Sequence, residues 1–166
     1  MMCRSFDEIM KNYHAKSSLS NNSLKKLPAD IKNHMQLLIG NEFYSDCKFA
    51  SEHEDEGWLD RDDSDYYVKI AESGSGDSWL LRLEDRVICF LDHEIWDEPE
   101  GLFPMEISFE QFVIMADLLG QFEKVPATAE SIKQVKTQLC LIEEKLTENY
   151  PYAFTALDSK KIREDL

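Results

Sequence analysis

Residues Val87 to Leu91 form an unbroken apolar run with the length of one β-strand. Successive side chains of a strand point to opposite faces, so a strand can be apolar throughout only when both faces of its sheet are covered. The preceding residues, Trp79 to Leu83, are also rich in strand formers, and Glu84-Asp85 supplies a tight turn between the two runs. The sequence therefore predicts a hairpin within a covered sheet, preceded by a further strand at Tyr66 to Ala71.

Helix signals follow this hairpin. Ser108 and Gln111 have the spacing of a capping box, and Ile107 and Phe112 have the spacing of a hydrophobic staple. We expect this helix to end at Gly120, because glycine is a common C-terminal stop.

Two helices are predicted before the hairpin. One begins near Pro28, carries Ile31, Met35 and Leu38 on its apolar side and ends at Gly40. A more modest helix candidate covers Ser5 to Lys16.

A last helix is predicted from about Thr128 to Glu148. Its apolar residues follow a 3-4-3-4 spacing, namely Ile132, Val135, Leu139, Ile142 and Leu146. This stripe is either a short coiled-coil seam or a face that packs on the protein's own sheet, and its length of about two heptads favours the second reading. The fold class is therefore α+β, with a mixed, mostly antiparallel sheet packed against helices and an extra C-terminal helix. We expect one domain over residues 1–157 and a charged tail over 158–166.

The chain is strongly acidic, with 18 Lys and Arg against 33 Asp and Glu and a formal net charge of −15. Such a surface repels nucleic acids and anionic membranes and attracts basic proteins, although acidity can also serve solubility alone. No apolar run approaches the length of a membrane span, and the N-terminal residues lack the apolar core of a signal peptide. We expect a cytoplasmic protein that is a monomer or a weak homodimer.

The four cysteines, Cys3, Cys47, Cys89 and Cys140, are widely spaced and form no CxxC pair. This spacing favours a reducing compartment and free thiols over a disulfide framework. Cys89 and Cys140 lie within apolar patterns, and we expect both to be buried.

Two acidic segments carry the candidate binding residues. The first, Glu42 to Asp65, reads mainly as a loop with a short strand near Cys47 to Ala50, and the second is Asp92 to Gly101. Each segment contains a tryptophan, which is either an exposed interface anchor or part of the core beneath its loop. The sequence does not decide between these for Trp58 and slightly favours the core for Trp96. The predicted partner-binding residues are Glu54, Asp55, Glu56, Trp58, Asp60, Asp62, Asp63, Trp96, Asp97, Glu98 and Glu100.

Other chemistries fit the sequence less well. Gly74-Ser75-Gly76 precedes a strand, where a phosphate-binding loop requires a helix. The Asp60, Asp62 and Ser64 rhythm of a calcium loop lacks the glycine and the final glutamate of that motif. His53 and His93 are flanked by acids, which favours surface imidazoles with raised pKa over metal ligands. We therefore assign no catalytic, cofactor-binding or metal-binding residue, and we expect a protein that is not an enzyme.

Three blocks of the chain together resemble the SUKH superfamily. They are LPADIKNHMQLLIG from Leu27, VKIAESGSGDSWLLRLEDRVICFLDHE from Val68 and ISFEQFVIMADLLG from Ile107. The central block is similar to the family's strand, its GxGD turn at Gly74, Gly76 and Asp77, its apolar hairpin and its aspartate–histidine pair.

This resemblance implies a function in protein binding without a cofactor. Bacterial members of the family resemble immunity proteins, which bind the toxic domain of a secreted or contact-delivered effector, often a nuclease, and protect the producing cell. The expected partner is thus a cognate, basic toxin domain whose active site is occluded. The alternative is a regulatory interaction scaffold with an endogenous partner, as in the family's smaller eukaryotic branch.

Overall fold

The computed structural model describes residues 1–14, 22–51 and 57–154. In these residues, the α-helices are α1 (Phe6–Met10), α2 (Ala29–Leu38), α3 (Phe109–Glu123), α4 (Ala129–Ile142) and α5 (Leu146–Asn149). The strands are β1 (Glu42–Tyr44), β2 (Cys47–Phe49), β3 (Tyr67–Glu72), β4 (Ser78–Arg82), β5 (Ile88–Leu91) and β6 (Leu102–Pro104). Short 3-10 turns cover Asn22–Lys26, Gly57–Asp60, Ser64–Tyr66 and Pro99–Gly101. The predicted tail, 158–166, lies outside the described residues.

The six strands form one sheet in which spatial order equals chain order, from β1 to β6. Every described pair of neighbouring strands is antiparallel. The predicted α+β class is confirmed, with a sheet that is antiparallel throughout these strands. β5 pairs with strands on both sides and is buried at all its positions, as its apolar sequence predicts.

Helices cover one face of the sheet and form the main core with it. Trp79 of β4 lies between strand and helix partners, with ring centroids 5.0 Å from Phe90 and 5.2 Å from Phe112. Phe112 and Val113 of α3 are fully buried in the same cluster. The predicted capping box at Ser108 and Gln111 is present and begins α3. We call this side of the sheet the helix face.

The opposite face carries a much smaller apolar cluster. The strand register places Lys69 opposite Leu80, and Leu91 opposite Leu102, on this side. Leu80 and Leu91 are buried with Trp58, and Tyr67, Trp96 and Leu102 pack against them. Loops that contain the acidic residues supply the cover here, so we call this side the loop face.

The prediction that α3 ends at Gly120 is wrong, because the helix continues to Glu123. A Cβ atom at Gly120 would lie 2.5 Å from the carbonyl oxygen of Phe43 in β1. This glycine therefore permits close approach of a helix to an edge strand, and it terminates nothing.

The predicted long C-terminal helix is two helices. Glu143 has an extended backbone (φ −153°, ψ 131°) and ends α4, and α5 starts at Leu146. Val135 and Leu139 are fully buried in the main core that the helices form with the sheet, and the backbone of α4 lies close to α3 and α5. The apolar stripe thus serves the protein's own core through helix–helix packing.

Of the remaining predictions, some are confirmed and others are wrong. Helix α2 has the predicted bounds, and Gly40 follows it with φ of +88°. The first helix is only five residues long in the described part of the chain. Cys89 is buried as expected, and burial raises its thiol pKa to about 11, whereas Cys140 is exposed, contrary to the prediction. All four cysteines are free thiols.

Strands β1 and β6 were not predicted, because each has only three residues and lies at an edge of the sheet. Among the described helices, none combines the length and the apolar character needed to cross a bilayer.

Candidate functional site

The structure brings parts of the two acidic segments together on the loop face. Arg61 Nη1 donates to the backbone carbonyls of Trp96 (2.5 Å) and Glu98 (3.1 Å) in the second segment. The same guanidinium holds Asp63 in the first segment, with Nε 2.9 Å from Oδ1. The Arg61 side chain is only 13% exposed, so this bridge is a structural joint between the segments. We call residues 57–66 and 92–101 together the acidic face.

The two tryptophans lie beneath this face. Trp58 is only 4% exposed and contacts the apolar cluster of the loop face, so the interpretation of Trp58 as an exposed anchor is wrong. Trp96 is half-buried against the same cluster, and a Cβ atom at Gly57 would lie 3.1 Å from its indole. Their apolar surface is used in attaching the acidic loops to the sheet.

Carboxylates occupy the outside of the face. The predicted binding residues Asp60, Asp62, Asp97, Glu98 and Glu100 are exposed, whereas Asp63 is half-buried beside Arg61. Glu98 shares a hydrogen bond with Glu100, and this contact together with their like charge raises the pKa of Glu98. Crowded carboxylates of this kind favour the approach of a cation, since a positive group relieves their mutual repulsion.

Two exposed apolar side chains lie among these acids and were not predicted as binding residues. Leu59 is 40% exposed and Tyr66 is 65% exposed. The sequence predicts Tyr66 at the start of a strand, whereas in the structure it ends the 3-10 turn Ser64–Tyr66 before β3 begins. The available sequence signal was a tyrosine that directly follows the aspartates Asp62, Asp63 and Asp65, since tyrosine is enriched among interface anchors.

Three predicted binding residues, Glu54, Asp55 and Glu56, lie outside the described residues, as does His53.

A second polar cluster lies where β4 starts and β5 ends. His93 Nδ1 is 2.7 Å from Asp77 Oδ1, and the backbone N–H of His93 donates to the same oxygen at 3.0 Å. Asp77 Oδ2 accepts from the hydroxyls of Tyr152 (2.6 Å) and Ser75 (3.2 Å). Asp77 thus joins the β3–β4 turn, the start of the acidic face and the C-terminal part of the chain.

These contacts set the protonation states of the pair. The hydrogen bond to Asp77 raises the pKa of the exposed His93 imidazole, as the flanking acids in the sequence predict. Burial on its own raises the pKa of Asp77, but the hydrogen bonds from Tyr152, His93 and Ser75 outweigh it, and the pKa is lowered. Asp77 is therefore a carboxylate that charged and polar groups stabilise.

The hydrogen bonds within this cluster limit the chemistry that it can perform. One ligand atom each from Asp77, Asp92 and His93 lie within 4.8 Å of one another, which is compatible with a loose cation site. Both oxygens of Asp77, however, already accept hydrogen bonds from the protein. The Ser75 hydroxyl is one of these donors, and it also shares a hydrogen bond with the Ser73 hydroxyl. The cluster is therefore organised as a structural junction.

The two glycines of the GxGD turn are required for different structural reasons. Gly76 has φ of +97° and allows the predicted chain reversal. Gly74 is not in the left-handed region, and its N–H donates to Ser45 O at 2.9 Å. A Cβ atom at Gly74 would lie 2.9 Å from that oxygen, so close approach of two turns is what requires glycine there.

Comparison of the chain with protein-family models, with curated proteins and with solved structures finds no match to any of them.

Proposed function

We propose that this protein is a SUKH-like immunity protein that binds a cognate, basic toxin domain through its acidic face and occludes the toxin's active site. The observation that carries the proposal is the joint at Arg61, which combines carboxylates from two separate segments into one surface. A rigid arrangement of like charges is costly unless a positive partner compensates for it. The resemblance of the three sequence blocks to the superfamily supports the same reading.

The expected partner class is a nuclease domain. Nucleases carry basic surfaces because their substrate is a chain of phosphates. An acidic face competes with that substrate for the same surface and accelerates encounter by electrostatic steering. Binding in the cytoplasm of the producing cell would block the toxin before it reaches nucleic acid. This mechanism requires no catalytic group and no cofactor on the inhibitor.

The exposed Leu59 and Tyr66 provide the apolar part of the proposed interface. Charge complementarity mainly affects association rate and specificity, whereas buried aromatic and aliphatic anchors slow dissociation. Tyr66, with 65% of its surface exposed, has both a ring to bury and a hydroxyl to hydrogen bond. We expect the Tyr66 ring to enter a pocket of the partner.

The first test is identification and neutralisation of the partner. A tagged form of the protein is used for pull-down from its native cells at low and at moderate salt. Support requires one basic protein, retained in stoichiometric amount through moderate salt, that is toxic when expressed alone and harmless when co-expressed with this chain. A scatter of basic proteins that is lost with salt would contradict the proposal. A retained, non-toxic endogenous protein would favour the regulatory scaffold.

The second test locates the interface by charge reversal. In the double variant Asp60→Lys/Asp62→Lys, we expect association with the identified toxin to slow by about tenfold or more. The matched control is Glu144→Lys/Glu148→Lys, which changes the net charge equally at exposed positions outside the acidic face. Equal slowing in both variants would show that net charge acts without a defined face. Asp63 is avoided because its reversal would also break the Arg61 joint.

A further inference from the structure

A cavity of about 290 Å³ lies between the C-terminal end of α3, the β1–β2 turn and the segment after α5. Its walls are largely aromatic and include Tyr44, Tyr150, Tyr152 and Phe154. Its volume is close to that of the smallest small-molecule sites, which begin near 300 Å³. We call it the tyrosine pocket. It is distinct from the acidic face, and nothing in the partner-binding proposal uses it.

The aromatic walls hold one another in place. Tyr150 stacks on Phe154 with centroids 5.2 Å apart and meets Tyr152 edge-on at 5.8 Å. The hydroxyls of Tyr44 and Tyr150 are 2.9 Å apart and share a hydrogen bond. Burial keeps the pKa of both phenols well above the ordinary value, so these hydroxyls are neutral. The pocket therefore offers preorganised, uncharged aromatic rings.

The formal charges that line the pocket are negative. Asp46 and Glu123 belong to its lining, and the Glu123 carboxylate is fixed by hydrogen bonds from the backbone N–H and hydroxyl of Ser45. Glu123 is also the last residue of α3, where the helix dipole adds partial negative charge. Lys136 lies near the Phe154 ring, with Nζ 5.7 Å from its centroid, but Lys136 is not part of the lining. Aromatic faces together with carboxylates favour an organic cation, through cation–π attraction and charge pairing.

We propose that the tyrosine pocket binds a small organic cation, namely a guanidinium or alkylammonium group on a short alkyl chain. The alkyl part packs against Tyr150 and Tyr152, and the charged end faces Asp46 and Glu123. A neutral molecule of the same shape gains the packing and lacks the charge pairing. An anion is repelled by both carboxylates.

The experiment compares two probes of the same shape. N-acetyl-arginine N-methylamide and its citrulline analogue, which carries a neutral urea, are each titrated into the ¹⁵N-labelled full chain and followed by NMR. We expect saturable shifts for the arginine probe at the amides of Ser75, Glu123 and Tyr150. The citrulline probe should bind at least tenfold more weakly. Equal binding of the two probes, absence of saturable binding, or shifts confined to the acidic face would each overturn the proposal.

Variants separate charge, ring and net-charge effects. Glu123→Gln removes one pocket charge and should weaken the arginine probe about tenfold, while the control Glu100→Gln removes one charge from the acidic face and should leave its affinity unchanged. Tyr152→Leu should abolish binding, and Tyr152→Phe, which keeps the ring, should retain it. Loss of binding in Tyr152→Phe with an unchanged fold would refute the role of the ring. Each variant's amide spectrum reports whether the fold is intact.

Discussion

The two faces of the sheet are covered by different kinds of structure. The helix face is covered by α1 to α5, each of which contributes buried residues to the main core, with fully buried side chains such as Trp79, Phe112 and Leu139. Among the described residues, the loop face is covered by short turns over a small apolar cluster with three buried members, Trp58, Leu80 and Leu91. A polar bridge from Arg61 supports that thin cover.

This difference separates stability from the proposed function. Burial of apolar area dominates the free energy of folding, so the helix face sets most of the global stability. The acidic carboxylates lie on the side where burial is least, and Arg61 links their two segments by donating hydrogen bonds to backbone carbonyls. Changes on the two faces should therefore have separable effects, and the following predictions test that separation.

The largest expected effect is on the helix face. Phe112→Ala should lower the free energy of unfolding by about 3–5 kcal/mol, because it leaves a cavity between Trp79 and Phe49 in a rigid core. Trp58→Ala on the loop face should cost less, about 2 kcal/mol, since a short turn can collapse into the space. Urea denaturation measures both. Equal losses would mean that the loop face is as rigid as the helix face.

Gly120→Ala probes how closely the helix face is packed. Alanine favours an isolated helix by about 1 kcal/mol over glycine. The new Cβ would nevertheless lie 2.5 Å from Phe43 O, and we expect a net loss of about 2 kcal/mol as α3 and β1 separate. The thermal midpoint of unfolding measures this loss. A neutral or stabilising result would contradict the close contact, and Glu110→Ala, at an exposed α3 position, serves as the control with a change within about 0.5 kcal/mol.

Arg61→Ala tests the joint of the loop face. The variant leaves the carbonyls of Trp96 and Glu98 without this donor, and we expect a stability loss of about 1–2 kcal/mol. Hydrogen exchange should accelerate in residues 57–66 and 95–101 and stay slow in α3. The control is Lys26→Ala, because Lys26 and Asp65 form an exposed pair at 3.9 Å that contributes little. Acceleration across the whole chain would show that the two faces unfold together.

The smallest expected effect is the pH dependence from His93. Its folded pKa lies above the ordinary 6.5, so its stabilising contribution is present below pH 6.5 and is lost as the pH rises through the folded pKa. The side chain is 46% exposed, which limits the contribution to less than about 1 kcal/mol. NMR titration of the imidazole should give a midpoint above 6.5 that falls in Asp77→Asn. An unchanged midpoint in that variant would contradict the pairing.

The contribution of the Asp77 carboxylate to stability has the opposite pH dependence to that of His93. Because the folded pKa of Asp77 is lowered, its contribution is present above the ordinary value of 3.8 and is lost as the pH falls through the folded pKa. Near neutral pH, the stabilising contribution of Asp77 is therefore fully present, whereas that of His93 is present only in part.

The features that depend on residues close in sequence were predicted correctly. The capping box at Ser108, the turn at Glu84-Asp85 and the doubly apolar β5 depend on neighbours a few residues away, and all three were found from the sequence. The break at Glu143 was missed, because the apolar spacing continues across it to Leu146 and gives no sign that the helix stops.

The candidate site was less predictable for the same reason. Charge indicated which segments are acidic, but the burial of Trp58 depends on Leu80 and Leu91, which are distant in sequence. The joint at Arg61 links residues 35 and 37 positions apart, and the contact of Tyr152 with Asp77 spans 75 positions. No local pattern encodes such pairs, and the exposed Tyr66 was hidden by its similarity to a strand residue.

The order of the strands has a consequence for how quickly the protein is ready to act. Since each strand pairs with the one that precedes it in the chain, each hairpin of the sheet can close once its second strand has been synthesised. Short loops close at small entropic cost, and sequence-local pairing is associated with fast folding. Under the proposed function, the inhibitor is needed from the moment its toxin is translated. A sheet that assembles in the order of its synthesis would then shorten the interval during which a cell contains toxin without a folded inhibitor.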